Sequence, residues 1–353
     1  MSLHPRAQIH LANIVANWRA IAALTPGSRP GAVVKANAYG HGALQVGKAL
    51  FEAGCRDFFV AYMDEGIELR DVVESDARIF VFNGADPKDH KQVKAAGLIP
   101  VMNSMIDIND WRRWGAPSDF AVHVDTGMNR LGVRIQDLSR LVEATRIDRP
   151  VLVMSHLVDS DAPGDPVNAH QLALFRDAVE ALPKMSRSLA NTGGCYLGPD
   201  YGFDITRPGI GLYGGGPAAP SGTTILPGMT LEAPILTVQN VQPGETVGYG
   251  GDWTFSEPRT LATVALGYGD GFPRSASSRG YASLGGIACR IVGRVSMDLI
   301  TIDVTSAADL AIPGAFAQFI GPEVPLEDQA KRAGTVGYEL VTGLGHRVRR
   351  IYD

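Results

Sequence analysis

Residues able to do chemistry in this chain sit where short apolar runs end. Lys35 follows Ala32-Val33-Val34 and precedes Ala36-Asn37-Ala38-Tyr39-Gly40-His41-Gly42. An amine at the end of such a run is drawn out of water, which lowers its pKa and frees the neutral form as nucleophile or base. Pairing with a carboxylate, or snorkelling to solvent, is the structural alternative. His123 and Asp125 end a second run and lead into Thr126-Gly127-Met128-Asn129-Arg130, and His156 ends a third. Asn191-Thr192-Gly193-Gly194 follows a fourth and Arg207-Pro208-Gly209-Ile210-Gly211 a fifth. Glycine lets backbone N–H groups approach an anion, and Thr192 and Tyr39 add hydroxyl donors, so the two glycine-bearing turns together suit a phosphate. Taken singly, they serve tight turns.

A lysine and a phosphate site on one face suggest a Schiff base with pyridoxal 5′-phosphate (PLP). Arg207 narrows the chemistry. Arginine keeps its proton, so facing the pyridine nitrogen it leaves that nitrogen unprotonated and the ring a weaker electron sink. Proton exchange at Cα is then favoured over decarboxylation or transamination. The alternative is a salt bridge from Arg207 to Asp204 or Asp200. Tyr268, in Gly267-Tyr268-Gly269-Asp270-Gly271, occupies a tight turn. Its phenol either projects as a general acid/base or packs half-buried.

These residues need a scaffold that gathers strand ends. Strands are predicted at Ala32–Lys35, Asp57–Tyr62, Arg78–Phe82, Leu98–Met102, Phe120–Val124, Val151–His156, Ser188–Ala190 and Ile205–Arg207. Helical or partly helical patterns lie between them. In Pro166–Leu182, Leu172, Phe175, Val179 and Leu182 form one apolar stripe. Repeated β–α units imply parallel strands, and eight in about 200 residues match a (β/α)8 TIM-type barrel. An open doubly wound sheet competes, but no G-x-G-x-x-G follows the first strand. After Gly214-Gly215-Gly216-Pro217 the pattern changes to short alternating runs at Ile235–Val241, Thr260–Leu266, Ala288–Val292 and Leu299–Val304. The expected organisation is a barrel over residues 7–225 and a smaller, mostly antiparallel β domain over 226–353. Residues 1–11 are candidates to pair with the latter. Met1-Ser2-Leu3 carry no weight here.

Composition bounds the rest. Across 353 residues, 45% hydrophobic and 20% charged content excludes a disordered chain. A net charge of −5 gives no basic excess for a nucleic acid or membrane surface. Three separated cysteines, Cys55, Cys195 and Cys289, suit a reducing compartment rather than a disulfide framework. No run approaches the ~18 apolar residues of a membrane span, and Met1–Gln8 lacks a signal-like hydrophobic stretch. A cytoplasmic protein is expected.

Ala32-Val33-Val34-Lys35-Ala36-Asn37-Ala38-Tyr39-Gly40-His41-Gly42 resembles the PLP-lysine signature of the alanine racemases. Asp125-Thr126-Gly127-Met128-Asn129-Arg130-Leu131-Gly132 is similar to that family's strand-five motif, and Arg207-Pro208-Gly209-Ile210-Gly211-Leu212-Tyr213-Gly214 to its strand-eight motif. Gly267-Tyr268-Gly269-Asp270-Gly271 and Gly293-Arg294-Val295-Ser296-Met297-Asp298 resemble its two β-domain motifs. The order is kept along nearly the whole chain.

The resemblance implies a PLP-dependent racemase, working as a homodimer, that interconverts L- and D-alanine and supplies D-alanine for peptidoglycan. Lys35 would carry PLP and exchange the proton on one face of Cα. Tyr268 of the partner subunit would serve the other. His156 would lie near the ring and Arg207 at the pyridine nitrogen. Tyr39, Thr192, Gly209 and Ile210 would hold the phosphate, with Asn191 in the same cofactor-binding turn. Arg130 and the partner's Met297 backbone would orient the substrate carboxylate. No metal is implied.

Two positions depart from the family pattern. Many members have a carbamylated lysine where this chain has His123, so a small anion such as chloride, or another polar partner, is expected beside that ring. His346 stands where some members place a tyrosine that touches the phosphate. Three rivals stay open. A PLP decarboxylase would place a carboxylate where Arg207 stands, and a non-catalytic PLP-binding barrel would lack the β domain. A metal hydrolase would use His123, Asp125 and His156. Serine or another amino acid is the alternative substrate.

Overall fold

The computed structural model describes residues 4–115 and 118–353. Met1–Leu3, which open the 1–11 segment, lie outside the described residues. The chain forms two compact units. One holds Ile14–Leu212 and Gly216–Ile225; the other holds the residues through Asn13, Tyr213–Gly215 and Leu226–Asp353.

Eight parallel strand positions run round the first unit. In chain order they are Arg29–Pro30 with Ala32–Val33, Asp57–Val60, Arg78–Val81, Leu98–Met102, Ala121–Asp125, Leu152–Met154, Ser186–Ser188 and Ile205–Thr206. From Ala32–Val33 to Ser186–Ser188, each pairs with the next barrel strand in sequence. Backbone hydrogen bonds on both sides of the eighth strand close the ring. Arg207 N–H donates to Ala190 O at 2.8 Å, while Gly31 N–H donates to Thr206 O and Val33 N–H to Pro208 O, each at 2.9 Å. Gly31 divides the first strand for a packing reason. A Cβ there would lie 2.8 Å from both the Phe59 ring and Thr206 O.

Parallel strands covered on both faces bury the side chains on both sides and read as near-continuous apolar runs. Accordingly every residue of Asp57–Val60, Leu98–Met102 and Ala121–Asp125 is buried. Phe59 and Phe80 stack between neighbouring strands, with centroids 4.8 Å apart. The helix expected from Pro166 runs Pro166–Ala181, with Pro at its start and Asp165 capping it through Val167 N–H at 2.8 Å. It buries Leu172 and Phe175, the latter edge-on to Phe203.

Only Leu98–Met102 stops where the sequence predicts; the other barrel strands end one or two residues away, and three of them matter for the rim. The first ladder ends at Val33, and Lys35 opens a turn. The sixth ends at Met154, short of His156. The seventh spans Ser186–Ser188 rather than 188–190. At the rim the backbone breaks its regular ladder, so the apolar run continues past the paired residues.

The second unit is built on an eight-stranded sheet. Its longest strand, Met229–Val241, pairs antiparallel with Arg6–Ile9, Arg259–Val264 and Phe316–Ile320. Ile300–Asp303 extends the sheet beyond Arg259–Val264, and Tyr281–Leu284 with Ile287–Arg290 forms a hairpin. Arg6–Ile9 also lies parallel to Arg349–Tyr352. Among the described residues, no helix is long and apolar enough to cross a membrane.

Candidate active site

The carboxyl ends of the barrel strands surround a cavity of about 390 Å³. Lys35, Asn103, His123, Arg130, Met154 and His156 are among the residues that line it. Burial lowers the pKa of Lys35, the Arg130 charge lowers it further, and Glu65 opposes both. The amine is therefore more available in its neutral form than an exposed lysine. Its Nζ lies 5.8 Å from the centre of the Phe82 ring.

Asn103 fixes the state of His123. Its Nδ2 donates to Phe82 O at 2.8 Å and to Val101 O at 3.1 Å, so its amide orientation is set and Oδ1 must be the acceptor. His123 Nδ1 lies 3.0 Å from that Oδ1 and therefore carries the hydrogen. Burial first, then the Arg207 and Arg130 charges, push the His123 pKa down to about 4 despite Asp125. The ring is neutral near pH 7, and Nε2 presents a lone pair. Asn103 is a polar partner of the kind expected beside His123, and the lone pair suits a donor better than an anion.

His156 is held in place by the helix behind it. Gln171 Nε2 donates to His156 O and to Thr126 Oγ1, each at 3.1 Å, while Thr126 Oγ1 lies 2.7 Å from Ser155 Oγ. This network joins the loops after strands five and six. Burial pushes the His156 pKa down to about 3, aided first by Arg207 and then by Arg130. Asp125 is committed to its own turn, where Oδ1 accepts from Gly127 N–H at 3.0 Å and Asn129 N–H at 3.1 Å. Among the described residues, no three His, Cys, Asp or Glu side chains are grouped to hold a metal ion.

Arg207 is only 2% exposed and makes neither salt bridge weighed from the sequence. Asp204 pairs with Arg187 at 2.8 Å and Asp200 with Arg176 at 3.6 Å. Arg207 instead donates to Ser155 O at 2.6 Å, to Leu189 O at 3.2 Å and to Ser188 Oγ. None of these bonds uses Nε. Burial lowers its pKa to about 10, which still leaves it charged at neutral pH.

The phosphate candidates converge. Thr192 Oγ1 accepts from Gly209 N–H at 3.0 Å and Gly211 N–H at 3.2 Å. A Cβ on Gly209 would lie 2.5 Å from the Tyr39 hydroxyl, so only glycine permits this approach. Ile210 follows at the start of a short 3-10 turn, Ile210–Tyr213. Asn191 caps the adjacent Thr192–Tyr196 helix, accepting from Gly194 N–H at 2.8 Å and Ser160 Oγ at 3.0 Å. Its Oδ1 is thus spent on the turn.

In the second unit, Tyr268 N–H donates to Ser296 O at 3.0 Å and Gly269 N–H to Met297 O at 2.7 Å. The two glycine-flanked motifs are knitted together, with Tyr268 42% and Met297 53% exposed. His346 is exposed. A second phenol went unremarked in the sequence. Tyr249 lies between Gly248 and Gly250, with Gly251 beyond, all three at positive φ, and is 73% exposed. Asn103, Gln171 and Glu65 were also missed. Asn103 had a usable signal, because it immediately follows the fourth strand.

The chain matches the family model "Alanine racemase, N-terminal domain" over residues 9–217 and "Alanine racemase, C-terminal domain" over 228–352. It is 45% identical to an alanine racemase of Rhodospirillum rubrum, covering 98% of this chain and 94% of that protein. It is 44% identical to a catabolic alanine racemase of Agrobacterium fabrum, covering 95% and 89%. The crystal structure of alanine racemase from Bartonella henselae with covalently bound pyridoxal phosphate superposes with a TM-score of 0.94, at 36% identity over the whole of both chains. The biosynthetic alanine racemase of Pseudomonas aeruginosa gives 0.93 at 31%, again over both whole chains.

Proposed function

The chain belongs to the alanine racemase family and is a PLP-dependent isomerase that interconverts L- and D-alanine; we propose that it does so with two acid–base groups on opposite faces of the substrate, as a homodimer. Arg207 supports the proton-exchange chemistry on which this reading builds. A buried guanidinium with only neutral partners and an uncommitted Nε fits a neutral pyridine nitrogen, and the Tyr39–Thr192–Gly209 cradle fits a phosphate. PLP, when bound, withdraws electrons from the amino acid and acidifies its Cα–H bond.

The residues divide the remaining work. Lys35 holds PLP, and its Nζ, whose pKa burial and the Arg130 charge lower, moves the proton on one face of Cα. Inversion needs a second group opposite, since one base would have to cross the plane. Tyr268 is our first candidate, its turn fixed by Ser296 and Met297. Tyr249 is the second. Its greater exposure and its glycine-rich turn suit a phenol that works outside its own unit. In either case we read the phenol as serving the partner subunit's site. Arg130 and the partner's Met297 backbone take the substrate carboxylate, His156 flanks the ring, and Ile210 and Asn191 complete the cofactor turns. We place the enzyme in the cytoplasm, supplying D-alanine for peptidoglycan.

The test follows loss of optical rotation from L-alanine, with L-serine and L-lysine in parallel and CO2 release monitored. L-alanine should racemise fastest, without CO2. Tyr268→Phe and Tyr249→Phe are assayed separately. The variant lacking the second base should keep its PLP absorbance while turnover falls roughly 10²–10⁴-fold. Mixing it with Lys35→Ala should restore part of the activity. If both phenylalanine variants racemise normally, the two-base reading is wrong.

A further inference from the structure

Glu65 is the third residue of helix Met63–Arg70, and its Oε2 accepts from Tyr62 N–H at 3.1 Å. That is ordinary capping for a glutamate at this position. The carboxylate also reaches further. Oε2 accepts from Ala61 N–H at 2.8 Å, and Oε1 accepts from Ala36 N–H at 2.6 Å. One side chain therefore straps the end of strand two to the residue after Lys35.

The strapped segment has an uncommon backbone. Ala36, Asn37, Ala38 and Tyr39 have φ of 52°, 54°, 52° and 52°. Four consecutive non-glycine residues in the left-handed region are each strained, and such a conformation persists only where its surroundings over-determine it. Val34 O accepts from Ala38 N–H at 2.8 Å. At the far end, Asn37 Oδ1 accepts from Ala43 N–H at 2.8 Å and Asn37 O from Gly42 N–H at 2.9 Å. Glu65 supplies the tie to the neighbouring strand end. The turn links Lys35 to Tyr39, whose hydroxyl closes on Gly209.

We infer that Glu65 is a positioning residue that holds this left-handed turn, and so fixes Lys35 and Tyr39 relative to each other. The inference rests on the reading of Lys35 as the PLP-bearing amine. A helix cap alone would serve Tyr62 and leave Ala36 untouched.

The experiment uses the full-length protein stripped of PLP and titrated with PLP. Glu65→Gln can still cap the helix but turns a donor toward one of the three N–H groups. PLP affinity should fall about tenfold, with kcat reduced and KM for alanine little changed. Ala36→Gly, which removes the left-handed penalty at one residue, should recover part of that affinity in the double variant. Should Glu65→Gln fold poorly, the double variant should also recover folding. Unchanged PLP affinity in Glu65→Gln, or a double variant no better than the single, overturns the inference. If the unsubstituted protein fails to take up PLP, the reading of Lys35 fails instead.

Discussion

Asp57 and Arg207 are charges buried at opposite ends of the barrel, and they are treated in opposite ways. Asp57 opens strand two at the floor and is 2% exposed. Arg78 Nε donates to it at 2.6 Å and Arg29 Nε at 3.3 Å, so opposite charge surrounds it. Arg207 follows strand eight at the rim, is equally buried, and meets only carbonyls and a hydroxyl. Burying a charge is costly unless it is paired and hydrogen-bonded. The floor obeys that rule fully; the rim supplies hydrogen bonds to the guanidinium's outer nitrogens but leaves Nε unused and the charge without a counter-charge. Chemistry at the carboxyl face and stability at the opposite face is the usual division in such barrels. Here it is visible in how each buried charge is compensated.

The contrast is broken most forcefully at the rim. Arg207→Met removes a buried cation that has no acidic partner. We expect kcat with L-alanine to fall roughly 10²–10³-fold, the scale of losing one preorganised donor at a reacting site. Arg207→Lys should restore little, because an ammonium cannot reproduce the three planar contacts. A turnover assay on PLP-loaded protein decides it. Near-normal kcat in Arg207→Met would make that charge structural, like the one at the floor.

At the floor the expected effect is on stability. Asp57→Asn leaves Arg29 and Arg78 without their shared carboxylate. Removing one member of a buried pair costs about 3–5 kcal/mol, and the partial exposure of both arginines argues for the lower end, about 3 kcal/mol. Denaturant unfolding should register this, while kcat per folded enzyme stays unchanged. A stability-neutral Asp57→Asn would erase the distinction between the two ends.

The sequence made this rim legible through a single rule, that chemistry follows the ends of barrel strands. It placed Lys35, His123, Arg130 and His156 round one cavity and joined Thr192 to Gly209. What it could not supply was orientation. The His123 tautomer depends on an amide whose direction is set by Phe82 O and Val101 O, carbonyls remote from His123 in sequence. The backbone of Ala36–Tyr39 was equally hidden, because alanine and tyrosine carry no left-handed signal and the surrounding hydrogen bonds impose the turn. In the β domain, Tyr249 and Tyr268 both lie between glycines, so local pattern alone could not rank them.

The smallest effect tests whether Arg207's uncompensated charge reaches its neighbours. Burial first, then the Arg207 charge, push His123 down to about 4 in the folded protein against 6.5 for an ordinary histidine. Between those values the unfolded chain binds the extra proton, so stability falls as pH drops from 6.5 toward 4 and the loss is complete below. The whole gap corresponds to about 3 kcal/mol, of which the Arg207 charge is only a part. His156, held near 3 by the same two leading causes, carries the decline lower. His123→Gln should unfold with a flatter pH dependence over this range than the unsubstituted protein. Arg207→Met should flatten it in part, because the histidines regain protons more easily once the cation is gone. Asp57→Asn should leave the His123 contribution intact, since Asp57 is not among the charges that perturb either ring. Thermal midpoints across pH 4 to 6.5 measure all three. An Arg207→Met profile parallel to that of the unsubstituted protein would show that the rim charge is screened from the histidines, and the contrast between the two ends would then reduce to hydrogen-bond geometry.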